Sequence, residues 1–88
     1  MTFEYDQFAD SMWVSFWEPA SKCVYIEGQT PGVILRLEET TVRICGFEVL
    51  VWSRRISHGP ILVPEINDPG FQTQWLAKLS ELRNTKHP

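Results

Sequence analysis

The chain has 88 residues and a formal net charge of −3, with 8 Lys plus Arg against 11 Asp plus Glu. This length indicates a single domain over residues 1–88, because an independent core needs about 50 residues or more. Mild acidity argues against nucleic acid as a partner, since such binding needs a basic patch. Charged residues interrupt the longest apolar segment, which argues against a membrane span.

Two cysteines, Cys23 and Cys45, show neither CxxC spacing nor the count of a disulfide framework. The chain shows no N-terminal signal peptide, so we expect a reducing, cytoplasmic location. A zinc site would need two further ligands from His58 or a carboxylate, which is a poor ligand set for zinc. We therefore expect neither a metal nor a cofactor.

Runs of β-branched and aromatic residues, separated by turn-forming residues, predict strands along the first two thirds of the chain. The predicted strands are Thr2–Tyr5, Ser11–Trp17, Cys23–Glu27, Val33–Leu37 and Val42–Ser53. The last of them is the longest apolar run, which is typical of a strand near the middle of a sheet and covered on both faces.

Gly46 interrupts that long run, and the apolar positions change there from even to odd numbers. Such a change of parity predicts a β-bulge at Cys45-Gly46. A regular strand with both faces buried is the competing interpretation.

The register between the last two strands can also be predicted. Placing Leu37 opposite Val42 gives a coherent apolar face, and it sets Arg36 opposite Arg43 on the other face. Like charges in that position destabilise a sheet by about 0.2–1 kcal/mol. A carboxylate or a bound anion between the two arginines would remove this cost.

A connecting loop over residues 57–69 precedes the only convincing helix, at about residues 70–84. Asp68 suits its N-cap, and apolar residues recur at helical spacing. The expected fold is α+β, with a four- to five-stranded, mostly antiparallel meander sheet at about residues 2–56 and the C-terminal helix packed on one face. The sequence leaves open which face the helix covers.

Several short segments together resemble a small prokaryotic family known as domain of unknown function 2283. They are Tyr5-Asp6, Ala9-Asp10, Met12–Phe16, Pro31-Gly32-Val33-Ile34, Gly46-Phe47-Glu48-Val49-Leu50 and Ser53-Arg54. The resemblance covers residues 3–55 and implies a compact sheet domain of a bacterial protein. Some members lie beside small toxin-like genes, so it also implies an antitoxin-like, partner-binding role.

Three tryptophans are the candidate interface residues: Trp13, Trp17 and Trp52. If the helix covers the Met12 face, their rings lie on the opposite face, where an exposed aromatic patch marks an interaction surface. The alternative is that the segment Ile61–Val63 folds over them.

Four arginines are candidate anion ligands: Arg36, Arg43, Arg54 and Arg55. Together they would form a basic face for a phosphate, a nucleotide or an acidic partner. The alternative is that they pair across the sheet with Glu18, Glu27 and Glu48, which lie near them in sequence register.

Catalysis is not expected, because His58 has no predicted nucleophile or acid in reach. Asp6 and Asp10 are better explained as residues that hold a turn. We therefore expect a noncatalytic protein-interaction or self-associating module, a homodimer or the subunit of a protein partner. The alternative is a small anion- or nucleotide-binding domain.

Overall fold

The computed structural model describes residues 1–84. Its elements are β1 (Thr2–Asp6), β2 (Ser11–Ser15), β3 (Cys23–Glu27), β4 (Val33–Glu38), β5 (Ile44–Leu50), α1 (Trp52–Arg55) and α2 (Pro69–Asn84). The five strands form one sheet in the order β1-β2-β5-β4-β3, and every neighbouring pair is antiparallel. The predicted α+β class, an antiparallel meander with a C-terminal helix, is confirmed.

The strand with the longest apolar run, β5, lies in the middle of the sheet, as predicted. β3, β4 and β5 are consecutive neighbours, and the hairpin of β1 and β2 adds to the other side of β5. β1 and β3 are therefore the two edge strands.

The predicted bulge is confirmed at the pairing of β4 with β5. Arg36 pairs with Gly46, but the next residue, Leu37, pairs with Ile44, so Cys45 has no partner on β4. The extra residue changes the parity of β5, and the apolar side chains on both sides of the bulge reach the same core.

The predicted register of this hairpin is wrong. Leu37 pairs with Ile44 rather than with Val42. Val42 has a φ of 58°, in the left-handed region, so the chain is still turning there and pairing begins later. Arg43 consequently precedes the strand and does not face Arg36.

The C-terminal end of the long apolar run is also not a strand. Val51 has a φ of 53°, which ends β5, and Trp52 begins the short helix α1. The indole of Trp52 is only 3% exposed and belongs to the core. Burial of Trp52 thus comes from a turn of helix that folds back onto the sheet.

Aromatic side chains join α2 to the sheet. Phe47 of β5 meets Trp75 edge-on, with ring centroids 5.2 Å apart, and Phe71 lies 6.0 Å from Phe47. The indole Nε1 of Trp75 donates to the carbonyl of Ile61 at 2.7 Å, so its polar atom is satisfied inside the core. The helix therefore covers the face that carries Met12.

Only one face of the sheet is covered by α2. Glu48 and Leu50 of β5 alternate with the core residues Phe47 and Val49, and both stay half-buried. The prediction that this strand is covered on both faces is therefore wrong for Glu48 and Leu50. The helix covers the Phe47 side, and no other element of residues 1–84 packs over the opposite side.

Both ends of α2 are held by side chains. Asp68 accepts the backbone N–H of Gly70 at 2.9 Å, which confirms its predicted capping role. At the other end, Arg83 donates through Nε to the carbonyl of Ile56 at 2.6 Å and also donates to the carbonyl of Gly59. Neither helix among residues 1–84 has the length and apolar composition needed to cross a membrane.

Asp10 ties the β1–β2 turn to α1. Its carboxylate accepts the Tyr5 hydroxyl at 2.7 Å, the Ser53 N–H at 3.0 Å and the Ser53 hydroxyl at 2.6 Å. The Ser53 hydroxyl and then the Tyr5 hydroxyl lower the pKa of Asp10 below its usual 3.8. Asp6 holds the turn itself by accepting the N–H groups of Phe8 and Ala9.

A side chain at the bulge should destabilise the fold. A Cβ on Gly46 would collide with the carbonyl oxygen of Val14, which is backbone and cannot rotate away. We expect Gly46→Ala to lower the free energy of unfolding by about 2 kcal/mol in urea denaturation. Ser15→Ala, at the residue opposite Gly46 on β2, is the matched control and should change it by less than about 0.5 kcal/mol. Equal effects of the two variants would contradict this account of the bulge.

The carboxylate of Asp10 should make stability depend on pH. Because its folded pKa is depressed, its stabilisation is present above the unfolded pKa of about 4 and is lost as pH falls through the folded pKa. Asp10 has a φ of 52°, in the left-handed region, which asparagine also tolerates. We expect Asp10→Asn to be less stable than the parent at neutral pH. The difference in the free energy of unfolding between the parent and Asp10→Asn should shrink as the pH falls, when it is measured by urea denaturation from neutral to acid pH. A difference that stays constant would contradict the assigned role.

Candidate functional site

The face of the sheet that points away from α2 presents aromatic and charged side chains. We call it the open face and define it by Trp13, Tyr25, Ile34, Arg36 and Glu48. Trp13 and Tyr25 belong to strands separated by β5 and β4, yet their rings meet edge to face with centroids 6.3 Å apart. The rings therefore extend over the two inner strands and form a small aromatic surface.

Arg36, which pairs with Tyr25, lines a basin of about 270 Å³ together with Trp13 and Tyr25. Its Nε is buried and has no hydrogen-bond partner within residues 1–84. Burial acts to lower the pKa of Arg36, but the hydrogen bond and charge of Cys23 outweigh burial and raise it. The guanidinium is therefore a fixed positive charge in the middle of the open face.

The hydrogen bonds of β3 show which of its backbone groups point outward. The N–H of Gly28 donates to the carbonyl of Val33, and the carbonyl of Lys22 accepts the N–H of Glu39. Val24 and Ile26, the even-numbered residues between Lys22 and Gly28, therefore direct their backbone groups to β4. In an antiparallel pair the intervening residues direct both groups to the other side. The N–H and C=O groups of Cys23, Tyr25 and Glu27 thus face away from the sheet. We call this row of outward groups the β3 edge.

Side chains on both faces of β3 are apolar and exposed. Tyr25 on the open face is 53% exposed, while Val24 and Ile26 on the core side are 41% and 48% exposed. α2 does not shield them, because its aromatic contacts are with Phe3, Phe16 and Phe47, none of which lies on β3. An exposed edge strand with apolar residues on both faces favours pairing with another strand.

The three tryptophans proposed as one interface lie in three different places. Trp13 is on the open face, Trp52 is in the core, and Trp17 lies beyond the end of β2. The guanidinium of Arg43 stacks over Trp17 at 5.0 Å from the ring centroid. The segment Ile61–Val63 packs into the core beneath α2 and leaves Trp13 uncovered.

The four arginines likewise share no surface. Arg36 is on the open face, Arg43 is beside Trp17, and Arg54 and Arg55 are on α1. Arg55 donates to the carbonyl of Pro31 and so holds a turn. Within residues 1–84, none of the four forms an ion pair with a carboxylate within 4.0 Å, so the alternative of pairing across the sheet is not formed either.

His58 lies in the loop after α1, and its geometry does not suit base catalysis on its neighbour. Its Nδ1 lies 3.2 Å from the Ser57 hydroxyl and 2.5 Å from the carbonyl of Arg54. A carbonyl oxygen only accepts hydrogen bonds, so Nδ1 carries the proton and cannot remove one from Ser57. Among residues 1–84, no group of three or more His, Cys, Asp or Glu side chains is placed to hold a metal ion.

Comparisons with known proteins found no match to the chain among protein-family models, curated proteins or solved structures.

The two cysteines differ sharply in access and should differ in reactivity. Cys23 is half-buried on β3, whereas Cys45 is fully buried at the bulge, and burial followed by the charge of Cys23 raises the pKa of Cys45. Since the thiolate is the reactive form, we expect a thiol reagent to modify Cys23 at least about tenfold faster than Cys45 in the folded protein.

The test uses Ellman's reagent with Cys23→Ser and Cys45→Ser as the assigning pair. Cys23→Ser should abolish the fast phase, and Cys45→Ser should keep it. Equal rates for the two thiols in the folded parent would contradict the burial of Cys45.

Proposed function

We propose that the chain is a noncatalytic interaction module that self-associates through the β3 edge to form a homodimer. The observation that carries this proposal is the exposure of apolar side chains on both faces of β3, beside a row of backbone donors and acceptors that have no partner within residues 1–84. Strand addition satisfies such a row of groups at the same time as it buries the flanking side chains.

The outward groups are compatible with an antiparallel, two-fold symmetric pair centred on Tyr25, which is the register that we propose. Tyr25 would face the partner's Tyr25, and Cys23 would face the partner's Glu27. Residues in such positions exchange both backbone hydrogen bonds. On the core side, Val24 would face the partner's Ile26. The two sheets would then join into one continuous sheet, with no like charges directly opposite each other.

Aromatic packing would strengthen this pairing. The Tyr25 ring already contacts Trp13, so the axis would bring together two tyrosines, each supported by a tryptophan from its own chain. Aromatic pairs across strands contribute about 0.2–1 kcal/mol each relative to alanine. The dimer would thus bury the exposed aromatic surface next to the β3 edge.

The resemblance to domain of unknown function 2283 and the antitoxin-like role that it implies stay expectations. A cytoplasmic location also stays an expectation. The two free thiols, Cys23 and Cys45, fit a reducing compartment. The arginine-face alternative gains no support, because the four arginines are dispersed.

Analytical ultracentrifugation tests the dimer. We expect the parent to sediment as a dimer at tens of micromolar and Tyr25→Lys to weaken association at least about tenfold, because two lysines would then face each other at the axis. Phe8→Lys is the matched control: it also replaces an exposed aromatic residue, 97% exposed, but in the β1–β2 turn away from the edge. Phe8→Lys should remain dimeric.

Mixing two charged variants tests the register itself. Tyr25→Lys and Tyr25→Glu should each be monomeric alone and should form a heterodimer when mixed, since opposite charges would then face each other across the axis. Urea denaturation of each variant reports whether the monomer is folded. A monomeric parent at about 200 µM, or a Tyr25→Lys protein that dimerises as tightly as the parent, would contradict the proposal.

A further inference from the structure

One row of side chains crosses all five strands on the open face. Trp13 of β2 lies opposite Glu4 of β1 on one side and opposite Glu48 of β5 on the other. Ile34 of β4 lies between Glu48 and Glu27 of β3. Directly opposite residues of an antiparallel pair point to the same face. These five side chains, which we call the acidic row, therefore alternate acidic and apolar from one edge of the sheet to the other.

The three carboxylates of the acidic row have no partner of opposite charge. Glu4 and Glu27 are exposed and Glu48 is half-buried, and within residues 1–84 none of the three forms an ion pair within 4.0 Å. Arg36, the positive charge of the open face, belongs to the neighbouring row, opposite Tyr25. The acidic row thus carries three carboxylates beside a single guanidinium, and a positively charged partner complements it.

Aromatic rings lie among these carboxylates. The ring of Trp13 stands between Glu4 and Glu48 and meets the ring of Tyr25, whose side chain is 53% exposed. A cation over such a ring is attracted by its negative face, and proline rings pack well on aromatic surfaces. The acidic charge repels the phosphates of nucleic acid and of anionic lipid. The surface therefore suits a basic segment of a protein.

The spacing of the carboxylates favours one backbone conformation for that segment. Neighbouring strands are about 4.8 Å apart, so carboxylates two strands apart are separated by about 9.6 Å and the whole row by about 19 Å. In a polyproline II helix every third residue returns to the same side, with a rise of about 9.3 Å. In an extended strand the corresponding repeat is about 6.8 Å. In an α-helix seven residues rise by about 10.5 Å, which exceeds the row by about 2 Å over two repeats.

We propose that the open face binds a basic, proline-rich segment of a protein partner in the polyproline II conformation. The segment lies across the strands, with arginine or lysine at every third residue. Its charges meet Glu4, Glu48 and Glu27 in turn, and the prolines between them pack on Trp13 and Ile34. This site goes beyond the pairing of the β3 edge, because most of the acidic row belongs to β1, β2, β4 and β5.

Calorimetry and amide NMR with designed peptides test the site. The repeat peptide is an end-capped (Arg-Pro-Pro)4, and its isomer has the same composition with the four arginines placed together before the prolines. We expect a dissociation constant below about 0.5 mM for the repeat peptide, at least about fivefold weaker binding of the isomer, and no binding of (Glu-Pro-Pro)4. Equal affinities of the repeat peptide and its isomer would mean general charge attraction only and would overturn the proposal.

Single charge changes assign the acidic row. Glu48→Gln and Glu4→Gln should each weaken binding of the repeat peptide at least about threefold, because each removes one of the three carboxylates. Glu39→Gln is the matched control: it removes the same charge from an exposed residue in the turn between β4 and β5 and should leave the affinity within about 1.5-fold of the parent. Trp13→Leu should weaken binding at least about fivefold.

Urea denaturation checks that each variant is folded. In the parent, the amides of Trp13, Ile34 and Glu48 should shift on addition of the repeat peptide. The proposal is wrong if none of these amides shifts at about 2 mM repeat peptide, or if Glu48→Gln and Glu4→Gln both bind as tightly as Glu39→Gln.

Discussion

Phe47 of β5 packs against Trp75 of α2 at the centre of the molecule. Because α2 is the one long helix of residues 1–84, this contact decides which strands are covered and which stay exposed. Five strands span about 19 Å at a spacing of about 4.8 Å, whereas a helix with its side chains is about 10–12 Å wide. One helix therefore cannot cover the whole sheet. Because α2 also stacks on Phe3 of β1, its cover lies toward the β1 side. The strand left without cover is β3.

This geometry explains why apolar residues remain exposed on β3. Val24 and Ile26 point to the core side but lie beyond the reach of α2, and Tyr25 is on the face that no described element covers. The same lateral position of α2 brings Phe71 close to Phe16 and leaves a groove of about 450 Å³ beside them, which Trp17 and Arg43 also line. The β3 edge and the groove thus have one physical origin.

Much of the fold was predictable from local patterns. The apolar run identified β5 as central, the change of parity at Gly46 identified the bulge, and Asp68 identified the start of α2. The predicted register between β4 and β5 was wrong because Val42 adopts a left-handed backbone, which a β-branched residue rarely does. The predicted end of β5 was wrong because Trp52 continues the apolar run although the chain has already entered α1.

The candidate sites were harder to predict, because they depend on tertiary neighbours. The sequence of β3 shows apolar residues at both parities, but only the order of the strands makes it an edge. Trp17 stacks with Arg43, and the carboxylate of Glu65 meets Gln29, a residue 36 positions away. Arg83 likewise reaches carbonyls of the loop after α1. No local pattern marks such contacts.

Amide hydrogen exchange along β3 at two protein concentrations tests the central claim most directly. The account predicts that Val24 and Ile26 are protected at both concentrations because they bond to β4. It predicts that Cys23, Tyr25 and Glu27 exchange rapidly in dilute protein and become protected in concentrated protein. Outward amides that exchange equally fast at both concentrations would contradict it.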